Sequence, residues 1–225
     1  MIHDMVGIKL PPAKKIMLEG RLRKRMRALG MDSLEQYCRY LFDSKESLDE
    51  YVHMIDAVTT NKTGFFREPE HFHYLSRIVL PELAHSRRLN VAKPLLAWSA
   101  GCSTGEESYT LAMVLKEFTS RQTSWSFRIL ATDISTEVLE KARMGIYEHE
   151  KIAPVPIQLR KKYLLRSRDQ SRSLVRMCPE LRAHVRFERL NLMDWDYGIR
   201  DAMSIVFCRN VIIYFDRPTQ ARLLK

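Results

Sequence analysis

Residues 98–107 read WSAGCSTGEE, a short loop with two glycines between an apolar run and a helical pattern. The apolar run Leu95–Ala100 predicts a buried strand, and the apolar spacing within residues 106–118 predicts a helix. Gly101 and Gly105 allow the backbone to turn tightly and to approach a ligand closely. The loop has neither the G-x-G-x-x-G spacing of dinucleotide-binding proteins nor the Gly-Lys-Ser/Thr ending of a P-loop. It therefore indicates a ligand site without a pyrophosphate or, alternatively, a simple strand-to-helix turn.

An acidic residue follows the next predicted strand. Residues 127–132 form a second apolar run, Asp133 ends it, and the helical pattern Thr136–Met144 comes next. In open parallel sheets an acid at this place accepts hydrogen bonds from ribose hydroxyls; the alternative is that Asp133 caps the following helix. The glycine loop and the acid together indicate a nucleoside cofactor without a pyrophosphate. S-adenosylmethionine fits, and its positive sulfonium is compatible with the nearby Glu106 and Glu107.

The second half of the chain alternates strands with helices. Residues 185–190 and 204–208 predict two further strands. Such alternation predicts an α/β fold, a parallel sheet wrapped by helices, which we assign to residues 76–225. Residues 160–184 interrupt the alternation with a basic, serine-containing stretch, so we expect an insertion there.

The first part of the chain shows helical patterns alone. Ser33 with Gln36, and Ser47 with Glu50, have the spacing of capping boxes at helix starts. We therefore expect a small all-helical domain over residues 1–75.

The charge of the chain is strongly basic and unevenly distributed. The formal net charge is +10, and residues 9–27 and 160–189 each carry a local net charge of +7. Such patches predict an acidic partner, for which nucleic acid, anionic lipid and an acidic protein surface all qualify. The alternative is two solvated basic faces without a partner.

Several classes of protein are excluded. No run of 18 or more apolar residues is present, and the N-terminus does not have the pattern of a signal peptide. The four cysteines include no C-x-x-C pair, which argues against a zinc site or a disulfide framework. His71 and His73 lie at an exposed-looking helix start, so we expect them at the surface rather than at a metal. We therefore expect a cytoplasmic protein without a metal.

Four segments carry a resemblance to a known family. Residues 61–68 read NKTGFFRE, residues 98–107 read WSAGCSTGEE, residues 131–135 read ATDIS, and residues 207–216 read FCRNVIIYFD. In this order and at these separations they resemble the signature segments of CheR-type methyltransferases, which methylate glutamates on bacterial chemotaxis receptors. The resemblance implies a Rossmann-like methyltransferase domain with a small β-subdomain insertion, preceded by a small all-α domain. It also implies S-adenosylmethionine as cofactor and S-adenosylhomocysteine as product.

The resemblance also implies a set of site residues. The residues implied to contact the cofactor are Asn61, Thr63, Arg67, Gly101, Glu106, Asp133, Asn191, Leu192, Arg209 and Asn210, with Val211 beside them. Arg67 is also implied to anchor a carboxylate, either that of the cofactor or that of the substrate. Tyr214 is expected to line the methyl-transfer channel or, alternatively, to pack beside a strand end.

The implied partner is the cytoplasmic helical region of a methyl-accepting chemoreceptor. It is expected to dock on a basic helix that carries Arg21, Arg23, Lys24, Arg25 and Arg27. In some family members the β-subdomain also docks a C-terminal receptor tether. Here residues 165–174 contain serines and arginines where the family often has glycines, so tether binding stays open. Family members continue beyond the position of Lys225, and we expect a C-terminal part to be missing.

Two rival functions stay open at this point. A nucleic-acid methyltransferase would also explain the positive charge, but enzymes that methylate exocyclic amines usually carry an Asn/Asp-Pro-Pro-aromatic motif where this chain has Cys208-Arg209-Asn210-Val211. A non-catalytic scaffold of the same fold is the second rival. Because a carboxylate is already ionised at neutral pH, its methylation requires no general base, in agreement with motifs that supply no histidine or cysteine base.

Overall fold

The computed structural model describes residues 7, 15–43, 48–59, 61–85, 94–121, 125–169 and 171–223. The helices are α1 (Lys15–Ala28), α2 (Leu34–Asp43), α3 (Leu48–Val58), α4 (Pro69–Tyr74), α5 (Leu80–His85), α6 (Glu106–Thr119), α7 (Thr136–Met144), α8 (Ile157–Tyr163), α9 (Pro179–Arg182) and α10 (Arg217–Leu223). A π-helical turn, Leu75–Val79, joins α4 to α5, and 3-10 turns lie at His149–Ile152 and Ile212–Tyr214. The strands are β1 (Leu95–Ala100), β2 (Phe127–Asp133), β3 (Ile146–Glu148), β4 (Leu164–Arg166), β5 (Leu174–Met177), β6 (Val185–Arg189) and β7 (Ile205–Phe207).

Helices α1 to α3 pack around a small core of their own. Its buried members include Leu22 and Met26 from α1, Leu41 from α2 and Met54 from α3. At the start of α2, Ser33 Oγ accepts a hydrogen bond from the backbone N–H of Gln36 at 3.1 Å, as the capping pattern predicted. Ser47, the first residue of the second capping pattern, lies outside the described residues.

A buried carboxylate joins these three helices. Glu50 on α3 is 3% exposed and accepts hydrogen bonds from Arg25 Nη2 at 2.6 Å and from the Tyr37 hydroxyl at 2.8 Å. Burial by itself would raise the pKa of Glu50, but the hydrogen bonds from Arg25 and Tyr37 outweigh it and hold this pKa below its ordinary value. The ionised carboxylate therefore stabilises the packing of α1 and α2 on α3.

The second part of the chain is built on a parallel sheet of strand order β6-β2-β1-β7. In register, Ala97 of β1 lies beside Ile129 of β2 and Ile205 of β7. These residues are buried in the main core, together with residues of α6 and α7. The predicted Rossmann-like architecture is thus confirmed. Because the strands are parallel, their carboxyl ends all lie at one edge of the sheet, which is where ligands bind in such folds.

The insertion is an antiparallel sheet of order β3-β5-β4. It begins earlier than the expected residues 160–184, because Ile146–Glu148 forms its first strand and pairs with β5. Three residues are too few to show a strand periodicity, so this strand could not be predicted from local patterns. The Tyr147 hydroxyl of β3 donates to the carbonyl of Thr104 at 2.7 Å. The small sheet is therefore attached to the glycine loop.

Along the sequence, the buried residues change from the helical core to the main core between Val58 and Phe65. The helical core ends at Val58, whereas Phe65 and Phe72 are buried in the main core, where the Phe72 ring stacks on Phe207. By packing, residues 65–75 accompany the sheet rather than the helical domain. We therefore propose that the domain division lies near residue 60 and not at the expected 75/76.

No helix within the described part of the chain is both long enough and apolar enough to cross a lipid bilayer.

The Glu50 network gives a prediction about stability. Glu50→Ala should lower the free energy of unfolding by about 2–3 kcal/mol, because the buried Tyr37 hydroxyl loses its acceptor and Arg25 loses its ion-pair partner. Urea unfolding of the purified protein measures this. The matched control is Glu35→Gln, which removes the exposed pair with Arg39 and should cost less than about 0.5 kcal/mol.

The same network predicts a pH dependence. Since the pKa of Glu50 is lowered by folding, its contribution is complete above the unfolded pKa and is lost as pH falls through the folded pKa. The stability difference between wild type and Glu50→Gln should therefore shrink on acidification below about pH 4.5. An unchanged difference down to about pH 3 would contradict the assignment.

Candidate active site

A cavity lies at the edge of the sheet where the parallel strands end. It is walled by the segment that follows α3, by the loop after β1, by the ends of β2 and β6, and by the segment after β7. The predicted site residues that line it are Asn61, Thr63, Arg67, Gly101, Asp133, Asn191, Leu192, Arg209, Asn210, Val211 and Tyr214. Five separate stretches of sequence therefore converge on this cavity.

The glycine loop approaches the cavity with a backbone that other residues rarely adopt. Gly101 has φ 76° and Gly105 has φ 92°. A Cβ on Gly105 would lie 2.9 Å from the Cβ of Ala142, so a larger residue would push α6 away from α7. Ser103 also has a positive φ, and its Oγ donates to the carbonyl of Asn61 at 3.0 Å. The loop is thereby fixed to both the sheet and the segment that follows α3.

Asp133 is held rigidly at the end of β2. Its Oδ2 accepts from the Ser103 backbone N–H at 2.8 Å and its Oδ1 from that of Ser135 at 3.0 Å. Burial raises the pKa of Asp133, and the backbone hydrogen bonds offset this only in part. The following helix takes Ser135 as its N-cap, whose Oγ accepts from Val138 N, so Asp133 does not serve as that cap. Each carboxylate oxygen retains a lone pair for a ligand hydroxyl.

The acid of the glycine loop that faces the cavity is Glu107, not Glu106. Glu106 is 1% exposed and does not line the cavity; it accepts a hydrogen bond from the Thr104 hydroxyl at 2.6 Å, and Lys151 Nζ lies 3.9 Å away. Glu107 lines the cavity and accepts from the Ser99 hydroxyl at 2.8 Å. Adjacent residues of a helix point about 100° apart, so only one of the two can face the ligand.

Arg209 places a cation opposite Glu107. Its Nη2 donates to the carbonyl of Arg67 at 2.6 Å, and its guanidinium lies 5.1 Å from the ring centre of Phe72 and 5.7 Å from that of Phe207. Nε lies 3.5 Å from Glu107 Oε2. Among the described residues, its buried Nε and Nη1 find no hydrogen-bond acceptor. Arg209 also lines the cavity, so its positive charge suits an anionic group there.

The side chain of Arg67 is more exposed than that of Arg209. It is 36% exposed, compared with 12% for Arg209, and its Nη1 donates to the carbonyl of Lys62 at 2.8 Å. Both arginines line the cavity, Arg209 with a buried side chain and Arg67 with a more exposed one.

Burial also raises the pKa of Glu107, and the hydrogen bond from Ser99 and the charge of Arg209 offset this only in part. A ligand cation beside Glu107 would favour its ionised form. The far part of the cavity is apolar, lined by Ile134, Leu190 and Leu192.

These groups fit an amino-acid nucleoside. The acceptors of Asp133 suit a ribose, the negative charge of Glu107 suits an ammonium group, and the positive charge of Arg209 suits a carboxylate. The apolar lining suits a base. The residues of the cavity therefore fit S-adenosylmethionine, whose parts are a base, a ribose, a sulfonium and an amino acid. Among the residues that the structure describes, no three His, Cys, Asp or Glu side chains are grouped so as to hold a metal ion.

The positions of the two adjacent glutamates give a prediction about the cofactor. Glu107→Gln should weaken S-adenosylhomocysteine binding about tenfold, because the ligand ammonium loses a buried negative charge. Glu106→Gln, the matched control, should leave the affinity within about twofold while lowering the melting temperature. Isothermal titration calorimetry and thermal unfolding measure these quantities. The reverse order of affinities would show that Glu106 is the cofactor contact.

Comparison with known proteins agrees with this geometry. Residues 61–225 match the family model of the CheR methyltransferase SAM binding domain, and residues 1–59 match that of the CheR methyltransferase all-alpha domain. The chain is 40% identical over 226 residues to the chemotaxis protein methyltransferase of Klebsiella aerogenes, covering 100% of this chain and 74% of that protein.

Two further relatives show the same extent of similarity. The chemotaxis protein methyltransferase of Escherichia coli is 38% identical over 225 residues, covering 100% of this chain and 75% of that protein. That of Borreliella burgdorferi is 37% identical over 224 residues, covering 99% of this chain and 78% of that protein. The chain belongs to the CheR family of chemotaxis methyltransferases, whose cofactor is S-adenosylmethionine.

Proposed function

We propose that this protein transfers the methyl group of S-adenosylmethionine to glutamate side chains in the cytoplasmic helical region of chemotaxis receptors, forming glutamate methyl esters. The observation that carries the proposal is the guanidinium of Arg67, which lines the cavity and is 36% exposed. An exposed guanidinium at such a place suits an incoming carboxylate. The names of the relatives, all chemotaxis protein methyltransferases, support a receptor as the substrate.

The reaction makes few chemical demands on the protein. When bound, S-adenosylmethionine supplies an electrophilic methyl group whose sulfur leaves as a neutral thioether. A glutamate carboxylate, with an ordinary pKa of about 4.3, is already ionised near neutral pH. An oxygen–carbon bond forms as the carbon–sulfur bond breaks, its electron pair stays on sulfur, and no proton moves. The work left to the chain is to align the carboxylate and to exclude water.

The composition of the cavity is consistent with that division of work. Among the described lining residues there is no histidine and no cysteine. Arg67 would hold the acceptor carboxylate with two parallel N–H donors, which also fixes its orientation. Tyr214, in the 3-10 turn after β7, lines the same cavity and would shape the channel with its ring.

The absence of a required base gives the next prediction. Tyr214→Phe should keep measurable activity, because the ring that shapes the channel remains. Arg67→Ala should lose about 100-fold or more in single-turnover rate, and Arg67→Lys should recover only part of it, since lysine restores the charge without the forked geometry. The wild-type rate should be flat between about pH 6 and 8.

Methyl transfer from labelled S-adenosylmethionine to receptor fragments, followed against pH, measures these rates. A rate that rises steeply from about pH 6 to 8, or a Tyr214→Phe variant as inactive as Arg67→Ala, would refute the base-free mechanism. RNA and DNA as acceptors in the same assay test the nucleic-acid alternative. No transfer to any acceptor would favour a non-catalytic scaffold.

We propose α1 as the surface on which the receptor docks. The five basic residues of α1 that were expected to contact the receptor fall into two groups, those engaged within the protein and those that are exposed. Arg21 donates to the carbonyl of Thr59 at 2.9 Å, and Arg25 is engaged with Glu50. The other three, Arg23, Lys24 and Arg27, are exposed. These three remain available to an acidic helical surface.

Reversing the exposed charges tests the docking proposal. The triple variant Arg23→Glu, Lys24→Glu and Arg27→Glu should lower kcat/KM for the receptor about tenfold or more and leave S-adenosylhomocysteine affinity unchanged, because none of the three side chains lines the cavity. The wild-type rate should also fall with added salt, which screens surface charges beyond about 10 Å at 0.1 M. Steady-state kinetics with receptor fragments measure both effects.

A matched control keeps the same change in net charge elsewhere on the surface. It is the triple reversal to Glu of three exposed arginines, Arg77, Arg121 and Arg128. This control should retain wild-type kcat/KM. Equal losses in the two triple variants would mean that total charge, and not α1, determines the rate.

The tether expectation stays a prediction. The insertion does form a small antiparallel sheet, and its outer strands β3 and β4 each pair with β5 alone among the described strands. Such edges suit the addition of an extended peptide. Comparing receptor fragments with and without their C-terminal tail in the same assay tests it.

A further inference from the structure

We propose that Glu68 is a positioning residue of the active site, which orients Arg67, Arg209 and Asn210 from outside the cavity. The proposal rests on the assignment of the cofactor cavity and does not depend on which acceptor is methylated. Glu68 itself does not line the cavity, and its side chain is 43% exposed.

The contacts of Glu68 join two segments that are far apart in sequence. Its Oε1 accepts from Asn210 Nδ2 at 3.1 Å and lies 3.8 Å from Arg67 Nε. Its Oε2 lies 3.7 Å from Arg209 Nη2 and 3.4 Å from His71 Nδ1. One carboxylate thus contacts three residues that line the cavity, from the segment before α4 and the segment after β7.

A negative charge at this place reduces the repulsion between two neighbouring cations. Arg67 and Arg209 bring two guanidinium groups into one site, where like charges repel. Glu107 compensates Arg209 from inside the cavity, and Glu68 lies against both arginines from outside. The hydrogen bond from Asn210, together with the charges of the two arginines, lowers the pKa of Glu68, so it is anionic at neutral pH. Both guanidinium groups can then remain directed at a ligand.

The backbone at the two ends of this contact is strained. Glu68 has φ 53° and Asn210 has φ 58°, both in the left-handed region that residues with a Cβ seldom occupy. Such conformations persist only where surrounding contacts hold them, and they cluster at functional sites. The hydrogen bond from Asn210 Nδ2 to Glu68 Oε1 links the two strained residues to each other.

Two substitutions separate the charge of Glu68 from its hydrogen bond. Glu68→Gln keeps an acceptor for Asn210 but removes the charge, whereas Glu68→Ala removes both. We expect S-adenosylhomocysteine affinity to fall about threefold in the first and about tenfold in the second. The matched control is Glu70→Gln, in the first turn of α4, whose side chain is 87% exposed and whose carboxylate lies 3.8 Å from His73 Nδ1. This control should bind like wild type.

A double-mutant cycle tests whether Glu68 acts through Asn210. If it does, Glu68→Ala should lower the affinity only about threefold in an Asn210→Ala background, where the loss of charge beside the two arginines remains, instead of about tenfold in the wild-type background. A merely structural role would instead lower the melting temperature in step with the affinity. Should Glu68→Ala melt early, Glu68→Gln supplies the same comparison with the hydrogen bond retained.

The possible results distinguish an error in the role of Glu68 from an error in the assignment of the cofactor cavity. Wild-type protein that does not bind S-adenosylhomocysteine would overturn the cofactor cavity itself. Wild-type binding with full affinity in Glu68→Ala would overturn only the role of Glu68. Additive losses in the cycle, or an equal loss in Glu70→Gln, would also overturn it.

Discussion

The hydrogen bond from the Ser103 backbone to the Asp133 carboxylate is the contact on which the arrangement of the site depends. It joins the loop after β1 to the end of β2, and the Ser103 side chain extends the connection to Asn61. Three walls of the cavity are therefore fixed by one residue in a left-handed conformation. A displacement of Ser103 would move the glycine loop, Asp133 and the segment that leads to Arg67 together.

The site gathers buried charges that are incomplete without a ligand. Asp133 and Glu107 both have pKa values raised by burial, and Arg209 has donors with no acceptor among the described residues. Burying a charge without a partner lowers the stability of a folded protein, so these groups reduce the stability of the ligand-free protein. A zwitterionic amino-acid group would satisfy Glu107 and Arg209 at the same time. The cavity thus selects for a ligand that carries both charges, which distinguishes it from a phosphate-binding loop.

Much of this architecture could be predicted from the sequence, because apolar periodicity reports burial directly. The strands of the parallel sheet, the helix after the glycine loop and the helix Thr136–Met144 follow from local patterns. Contacts between distant segments could not be predicted in this way. Glu50 has the spacing of a capping residue, yet its carboxylate binds Arg25 and Tyr37.

The choice between Glu106 and Glu107 shows the same limit at the site. It depends on the rotation of α6 about its axis, which is set by the left-handed turn at Gly105 and by packing on Ala142. The surroundings of Arg209 could not be predicted from local patterns either, because the aromatic rings beside its guanidinium belong to α4 and β7. Strands as short as β3, with three residues, are too short to show an alternation of apolar and polar residues in the sequence.

Met17 on α1 lines the cofactor cavity, although the exposed basic residues of the same helix face outward. If the receptor docks on α1 as proposed, this helix borders two ligands at once, the small molecule inside and the macromolecule outside. Any shift of α1 that favours one of them alters the surroundings of the other, and thermodynamic linkage requires the effect to be equal in both directions. A receptor that docks more tightly on the cofactor-loaded protein must, by the same free energy, slow the loss of cofactor or speed its capture. The helical domain is then part of the cofactor equilibrium as well as a platform for docking.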